Sequence, residues 1–172
     1  MSKTVILIPS RMSASRLPGK PLLKINNLSI ISHVVNKARN AGIGKVLVCT
    51  DDQSIADDVE KNGGQAIMTS KNHKTGTDRI FEAFKKLKID NIDYVLNLQG
   101  DEPGIDIKDI IHLNNLMNKT NSDIGTLASK LNNDSDFLNE NIVKVLVEKK
   151  LDKKNFPIAL NFYRKHNIEN VE

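Results

Sequence analysis

The chain has 172 residues, 25 of them basic and 21 acidic, for a formal charge of +4, and 39% are hydrophobic. That length suits one domain with a substantial core, and the balance of apolar and charged residues excludes disordered, collagen-like and low-complexity chains. A single cysteine, Cys49, excludes an internal disulfide framework, and no apolar run approaches the ~20 residues of a membrane helix.

Thr4–Pro9 (TVILIP) is a nearly continuous apolar run, the pattern of a strand buried on both faces. A polar, basic loop follows from Ser10 to Lys20. Apolar residues at 30, 31, 34, 35, 38 and 41 predict a helix over Ile30–Ala41, stopped by Gly42. Lys45–Thr50 reads as a second buried strand, Asp52–Asn62 as a helix ended by Gly63-Gly64, and Gln65–Met68 as a short strand. Thr77–Leu87 is helical, with Thr75 and Asp78 spaced as a capping box. Tyr94–Leu98 is a strand, Asp106–Met117 a helix, and Ile124–Leu131, Val143–Val147 and Ile158–Phe162 are expected as later strands. This alternation predicts a doubly wound α/β fold, a mostly parallel sheet with helices on both faces, over a single domain spanning residues 1–172.

In such sheets ligands bind beyond the carboxyl ends of the strands, where the loops Ser10–Pro21, Thr50-Asp51-Asp52 and Gln99–Pro103 fall. Three loops could carry chemistry, and of 25 basic residues only five are arginines, three of which, Arg11, Arg16 and Arg79, lie in two of these loops. The first loop (Pro9–Leu22, PSRMSASRLPGKPL) holds Arg11, Arg16 and Lys20 with no acidic residue, and Ser13, Ser15 and Gly19 are small enough to let backbone amides approach an anion. Guanidinium forks with a lysine point charge suit a polyphosphate. It is not a P-loop, because Pro21 follows Lys20 where that motif needs Ser or Thr, and there is no G-x-G-x-x-G. In the second loop (Lys74–Arg79, KTGTDR), Gly76 sits between two threonines before a helix start, which fits either a capped N-terminus or amides and hydroxyls reading a base edge or ribose. The third (Asn97–Pro103, NLQGDEP) puts Gln99, Asp101 and Glu102 beyond a buried strand, so Asp101 suits either an Asx-turn or a Mg²⁺ bridge to substrate phosphates.

Other features carry less. His33, His73, His112 and His166 lack metal-ligand spacing and read as solvated or structural. Cys49 lies within a strand and reads as packing. Scattered lysines, 4% aromatics and no tryptophan argue against nucleic acid as a partner. No leader or membrane segment is read, and the expectation is a cytoplasmic protein.

Together the first loop, the strand ending in Thr50-Asp51-Asp52, TGTDR (Thr75–Arg79) and NLQGDEP resemble the 3-deoxy-manno-octulosonate (KDO) cytidylyltransferases, as does NIVKVL (Asn141–Leu146). The resemblance implies a Mg²⁺-dependent transfer in which the KDO hydroxyl attacks the α-phosphorus of CTP, giving CMP-KDO and pyrophosphate for lipopolysaccharide assembly. It makes Arg11, Lys20 and Asp101 the catalytic candidates, with Asp101 the metal ligand. Ser10, Arg11, Ser13, Ser15, Arg16, Lys20, Thr75, Gly76, Thr77 and Arg79 become nucleotide-binding candidates, and Gln99 and Arg164 substrate-binding ones. Another sugar nucleotidyltransferase of the same fold, for example of the CMP-acylneuraminate type, and a non-catalytic CTP-binding fragment are the alternatives.

Departures from the family pattern are Ser10 in place of Ala, Met12 in place of a larger apolar or aromatic residue, and Tyr163 in place of Ser. The family's H-x-G-I-Y, L-E-Q-L-R and D-T-x-x-D segments do not occur in the sequence. The expectation is therefore a chain lacking the family's C-terminal third, which by the resemblance carries much of the sugar site, the family's homodimer contact and a second metal carboxylate. Much of the nucleotide half-site is then kept, with little or no transferase activity by this chain alone.

Overall fold

The apolar run that opens the chain is β1 (Thr4–Ser10), and its residues alternate between two separate cores. A computed structural model describes residues 3–13, 17–120, 122–152 and 155–165. β1 is followed by a 3-10 turn at Lys20–Leu22 and a small hairpin of β2 (Lys24–Ile25) and β3 (Leu28–Ser29). Then come α1 (Ile30–Asn40), β4 (Gly44–Thr50), α2 (Gln53–Lys61), β5 (Ala66–Met68), α3 (Gly76–Leu87), β6 (Tyr94–Asn97) and α4 (Ile107–Thr120). The chain divides into two compact units, Met1–Ser122 and Asp123–Glu172.

In the first unit four strands pair in the order β5-β4-β1-β6, all parallel. Ile6 and Ile8 point with Val46 and Val48 into a core closed by α1, α2 and Ile110 of α4. Val5 and Leu7 point the other way, with Leu47 and Cys49, against Ile80 and Ala83 of α3. All four β1 side chains are fully buried, which explains why the strand reads as an unbroken apolar run rather than an alternation. Burial also pushes the Cys49 thiol up to about 12, consistent with a packing role.

The second unit has a short helix, α5 (Asp134–Leu138), capped by Asn133, and an antiparallel pair of β7 (Lys144–Val147) with β8 (Ala159–Tyr163). The buried Lys144 donates to the carbonyls of Asn139 (2.6 Å) and Arg164 (2.8 Å). The strand expected over Ile124–Leu131 does not form. Its apolar pattern is strand-like, but among the described residues no strand pairs with it, and Ile124 is 89% exposed. A strand without a ladder partner gains no backbone bonds. Among the described residues no helix is long and apolar enough to cross a membrane.

Two close contacts make the architecture testable. Gly44 lies opposite Thr4 in the β1–β4 ladder, and a Cβ there would sit 1.8 Å from the Thr4 carbonyl oxygen. Gly44→Ala must push the two central strands apart, and urea unfolding should show a loss of about 3 kcal/mol. On α3, Glu82 accepts from the Lys86 ammonium at 2.7 Å and the Ser70 N–H at 2.9 Å and pairs with His73 Nε2. The bonds from Lys86, Ser70 and His73, in that order, lower its pKa from 4.5 to about 2. A carboxylate held below its unfolded value stabilises the fold above about pH 4.5, and that contribution disappears as pH falls toward about 2. Glu82→Gln should lower stability at neutral pH, and the stabilities of the two proteins should converge near pH 2 in unfolding measured across this range.

Candidate active site

Because the four strands are parallel and share one direction, the loops after β1 and β6 leave the same edge of the sheet. Those two strands are neighbours, although the small hairpin, α1, β4, α2, β5 and α3 separate them in the chain, and this reversal of strand order is where open α/β sheets form a crevice. A cavity of about 480 Å³ lies there, lined by Pro9–Arg11, Leu17, Lys20, Pro21, His73–Gly76, Arg79 and Gln99–Asp101.

The first loop is closed at its base. The N–H of Gly19 donates to the Met12 carbonyl at 3.1 Å, and Gly19 adopts φ +73°, a conformation that disfavours a side chain. Met12 also packs against the core beneath. This closure returns the chain from Arg11 to Lys20, and both line the cavity. Lys20 then forms a 2.7 Å ion pair with Asp101, whose side chain is 54% exposed.

At the second loop, Thr75 caps α3. Its hydroxyl accepts from the Asp78 N–H at 3.1 Å and donates to the Asp78 carboxylate at 2.7 Å. The expected cap therefore forms, with the reciprocal bond on the hydroxyl rather than on a backbone amide. Gly76, the first helical residue, lets this turn lie against β1, since a Cβ would meet the Pro9 ring at 3.1 Å. Gly100 plays the same part at the third loop, where a Cβ would come within 2.9 Å of the Pro9 carbonyl oxygen. Glycines at these two close approaches let three loops converge on one residue, Pro9.

Arg79 is only 3% exposed. Its Nη1 donates to Thr69 Oγ1 at 2.6 Å and to the Ser70 carbonyl at 3.4 Å, and its Nη2 lies 3.1 Å from Asp51 Oδ1. The guanidinium thus ties the loops after β4 and β5 to α3 while still bordering the cavity. Ser10 Oγ is buried with no hydrogen-bond partner among the described residues. Gln99 Nε2 bonds the Asn97 side-chain oxygen at 3.2 Å.

Of the residues singled out from the sequence, Ser10, Arg11, Lys20, Thr75, Gly76, Arg79, Gln99 and Asp101 share this cavity. Ser13 and Thr77 are exposed and do not line it. Ser15, Arg16 and His166 lie outside the described residues. Arg164 belongs to the second unit, where its Nη1 donates to the carbonyls of Asn141 (3.0 Å) and Glu140 (3.4 Å). Sequence reasoning missed His73 as a wall residue and placed Lys74 in the second loop without a role. The position of His73 immediately before that loop was the available signal, but it has no motif spacing of its own.

Electrostatically the wall is cationic, with Arg11, Lys20, Lys74 and Arg79 against the single carboxylate of Asp101. Arg11 and Lys74 form no ion pair with another described residue. Among the described residues no group of three or more His, Cys, Asp or Glu side chains could enclose a metal. The arrangement can neutralise a polyanion and offers no paired nucleophile and base.

Comparison with known proteins agrees with this chemistry. The family model described as cytidylyltransferase matches residues 5–172. The 3-deoxy-manno-octulosonate cytidylyltransferase of Rhodopseudomonas palustris is 46% identical over 146 residues, covering 84% of this chain and 60% of that protein. The one from Haemophilus influenzae is 41% identical over 149 residues, covering 87% and 58%. The chain thus spans about 60% of the length of the curated relatives it matches. A solved CMP:2-keto-3-deoxy-manno-octonic acid synthetase complexed with CTP superposes with a TM-score of 0.79 at 36% identity, covering 99% of this chain and 69% of that one. A cytidylyltransferase from Leptospira borgpetersenii has a TM-score of 0.61 at 29% identity, over 73% and 52%. The parallel sheet, the three converging loops and the match along nearly the whole sequence lead to one conclusion: the chain belongs to the cytidylyltransferase family.

Proposed function

We propose that the protein takes part in the transfer of CMP from CTP to 3-deoxy-D-manno-octulosonate, giving CMP-KDO and pyrophosphate for lipopolysaccharide assembly in the cytoplasm. The observation that carries this reading is the convergence of Arg11, Lys20, Thr75, Gly76, Gln99 and Asp101 on one cationic cavity. The names of the relatives, and the CTP bound by the structural neighbour, support the choice of nucleotide and sugar acid.

In this reading Arg11 and Lys20 hold the triphosphate, and Arg16 assists them. The turn Thr75–Arg79 and Gln99 border the cytidine and the sugar. The sugar hydroxyl oxygen forms a bond to the α-phosphorus, the bond from that phosphorus to the bridging oxygen of pyrophosphate breaks, and the hydroxyl proton passes to solvent. Such a reaction asks for positioning and charge neutralisation rather than a protein nucleophile, as the wall chemistry supplies. Arg11 and Lys20 stabilise the charge that builds on the departing pyrophosphate.

Mg²⁺ fits the donor set. Magnesium is commonly held by one or two carboxylates and completed by substrate phosphates and water. Asp101 is such a carboxylate, at the cavity wall and half exposed, and it would exchange Lys20 for the cation. The metal would supply charge neutralisation on the phosphates. CTP and the sugar acid are the small-molecule partners in this reading, with no nucleic acid or membrane.

Titration calorimetry with CTP, UTP, GTP and ATP tests the reading, and pyrophosphate release on adding KDO or an acylneuraminate tests the acceptor. CTP and KDO should be preferred, and equal binding of all four nucleotides would refute it. Arg11→Ala and Lys20→Ala should each weaken CTP binding by about 10- to 100-fold, the equivalent of a lost charged hydrogen bond. Asp101→Asn should abolish the gain in CTP affinity that Mg²⁺ gives. Without Mg²⁺ the same variant should bind CTP more tightly than the parent, since Lys20 is released from its ion pair.

A further inference from the structure

His73 enters the cavity wall without having any place in the cation-and-carboxylate chemistry just described. Its ring is tied by Nε2 to Glu82, and its side chain remains 20% exposed. Glu82 holds a second point of the same segment, since it also accepts from the Ser70 N–H at 2.9 Å. Lys86, one helical turn further on, keeps the carboxylate in place with its 2.7 Å ion pair. Ser70 and His73 are therefore both fastened to the flank of α3, and the three residues that follow, Lys74, Thr75 and Gly76, are wall residues that lead into that helix. With its pKa at about 2, Glu82 stays ionised at neutral pH and keeps accepting all three bonds.

A segment pinned at two points and capped at its end has little freedom to change the shape of the wall it becomes. An imidazole used only for packing would need no such partner, because apolar volume alone would serve. We infer that His73 is a positioning residue for nucleoside recognition: tied to Glu82, it holds the Lys74–Gly76 turn in the shape that receives the nucleoside part of the ligand. Arg11 and Lys20 retain the phosphates independently. The identity of the ligand rests on the proposed cytidylyltransferase reading, whereas the fastening of the turn does not.

The test uses His73→Leu, which keeps apolar volume and removes both ring nitrogens, and His73→Gln, which keeps a side-chain donor for Glu82. Calorimetry gives Kd for CTP and for inorganic tripolyphosphate, and amide hydrogen exchange without ligand follows residues 71–77. In His73→Leu, CTP should bind about tenfold more weakly, the equivalent of about 1.4 kcal/mol, while tripolyphosphate changes by less than about twofold. Exchange across 71–77 should speed up, and His73→Gln should recover most of the CTP affinity. Unchanged CTP binding in His73→Leu, an equal loss for CTP and tripolyphosphate, or unchanged exchange would each overturn the inference. If the parent protein itself shows no preference for CTP over tripolyphosphate, the nucleotide reading fails, and the exchange of His73→Leu still decides whether the residue fastens the turn.

Discussion

β1 carries a parallel strand on each edge and helices against each face, so its direction and register are fixed from four sides. A strand in that position cannot slip by one residue without exchanging the side chains of two buried cores. The point at which it ends is therefore as well defined as anything in the molecule. Pro9 sits there, and the turns carrying Gly76 and Gly100 close onto it because neither has a side chain to hold them off. The cavity is a consequence of this pairing and of those two contacts.

On that frame, charge is distributed with some economy. Arg79 and Asp51 form a largely buried pair that also engages Thr69 and Ser70, and removal of either partner would leave the other charge without compensation in a region of low dielectric. Their attraction binds loops together. Lys20 and Asp101 differ in being partly exposed, so their attraction is screened and can be exchanged for contacts with a ligand. One ion pair is suited to holding the site's shape and the other to opening within it. A cationic wall with one exchangeable carboxylate is suited to attracting a polyanion.

Much of this was legible in the chain. Continuous apolar runs gave the buried strands, the boundaries of α1 and α3 followed from Gly42 as a stop and Thr75 as a cap, and Asp52, read as the first residue of α2, proves to be its N-cap. The hairpin of β2 and β3 escaped notice, although Asn26 and Asn27 both take positive φ and form the kind of two-residue turn that asparagine tolerates. The segment 124–131 failed in the opposite sense, since alternation describes which faces a strand would show but not whether a partner is at hand.

The sequence by itself determined which groups could meet at a cationic site, because Arg11, Lys20, Gln99 and Asp101 lie in loops whose composition and order are readable without coordinates. It also determined the parallel sheet, since apolar runs alternating with amphipathic helices have few other ways to be buried. Only the tertiary structure decided how each group is employed. It turned the Arg79 fork toward Asp51 and Thr69, paired Lys20 with Asp101, left Ser10 Oγ without a partner among the described residues and brought His73 into the wall beside a carboxylate nine residues further on. These outcomes depend on distances between residues remote along the chain or set by helix geometry. Hydrogen bonds and ion pairs act over a few ångströms, a scale that order along a sequence does not encode.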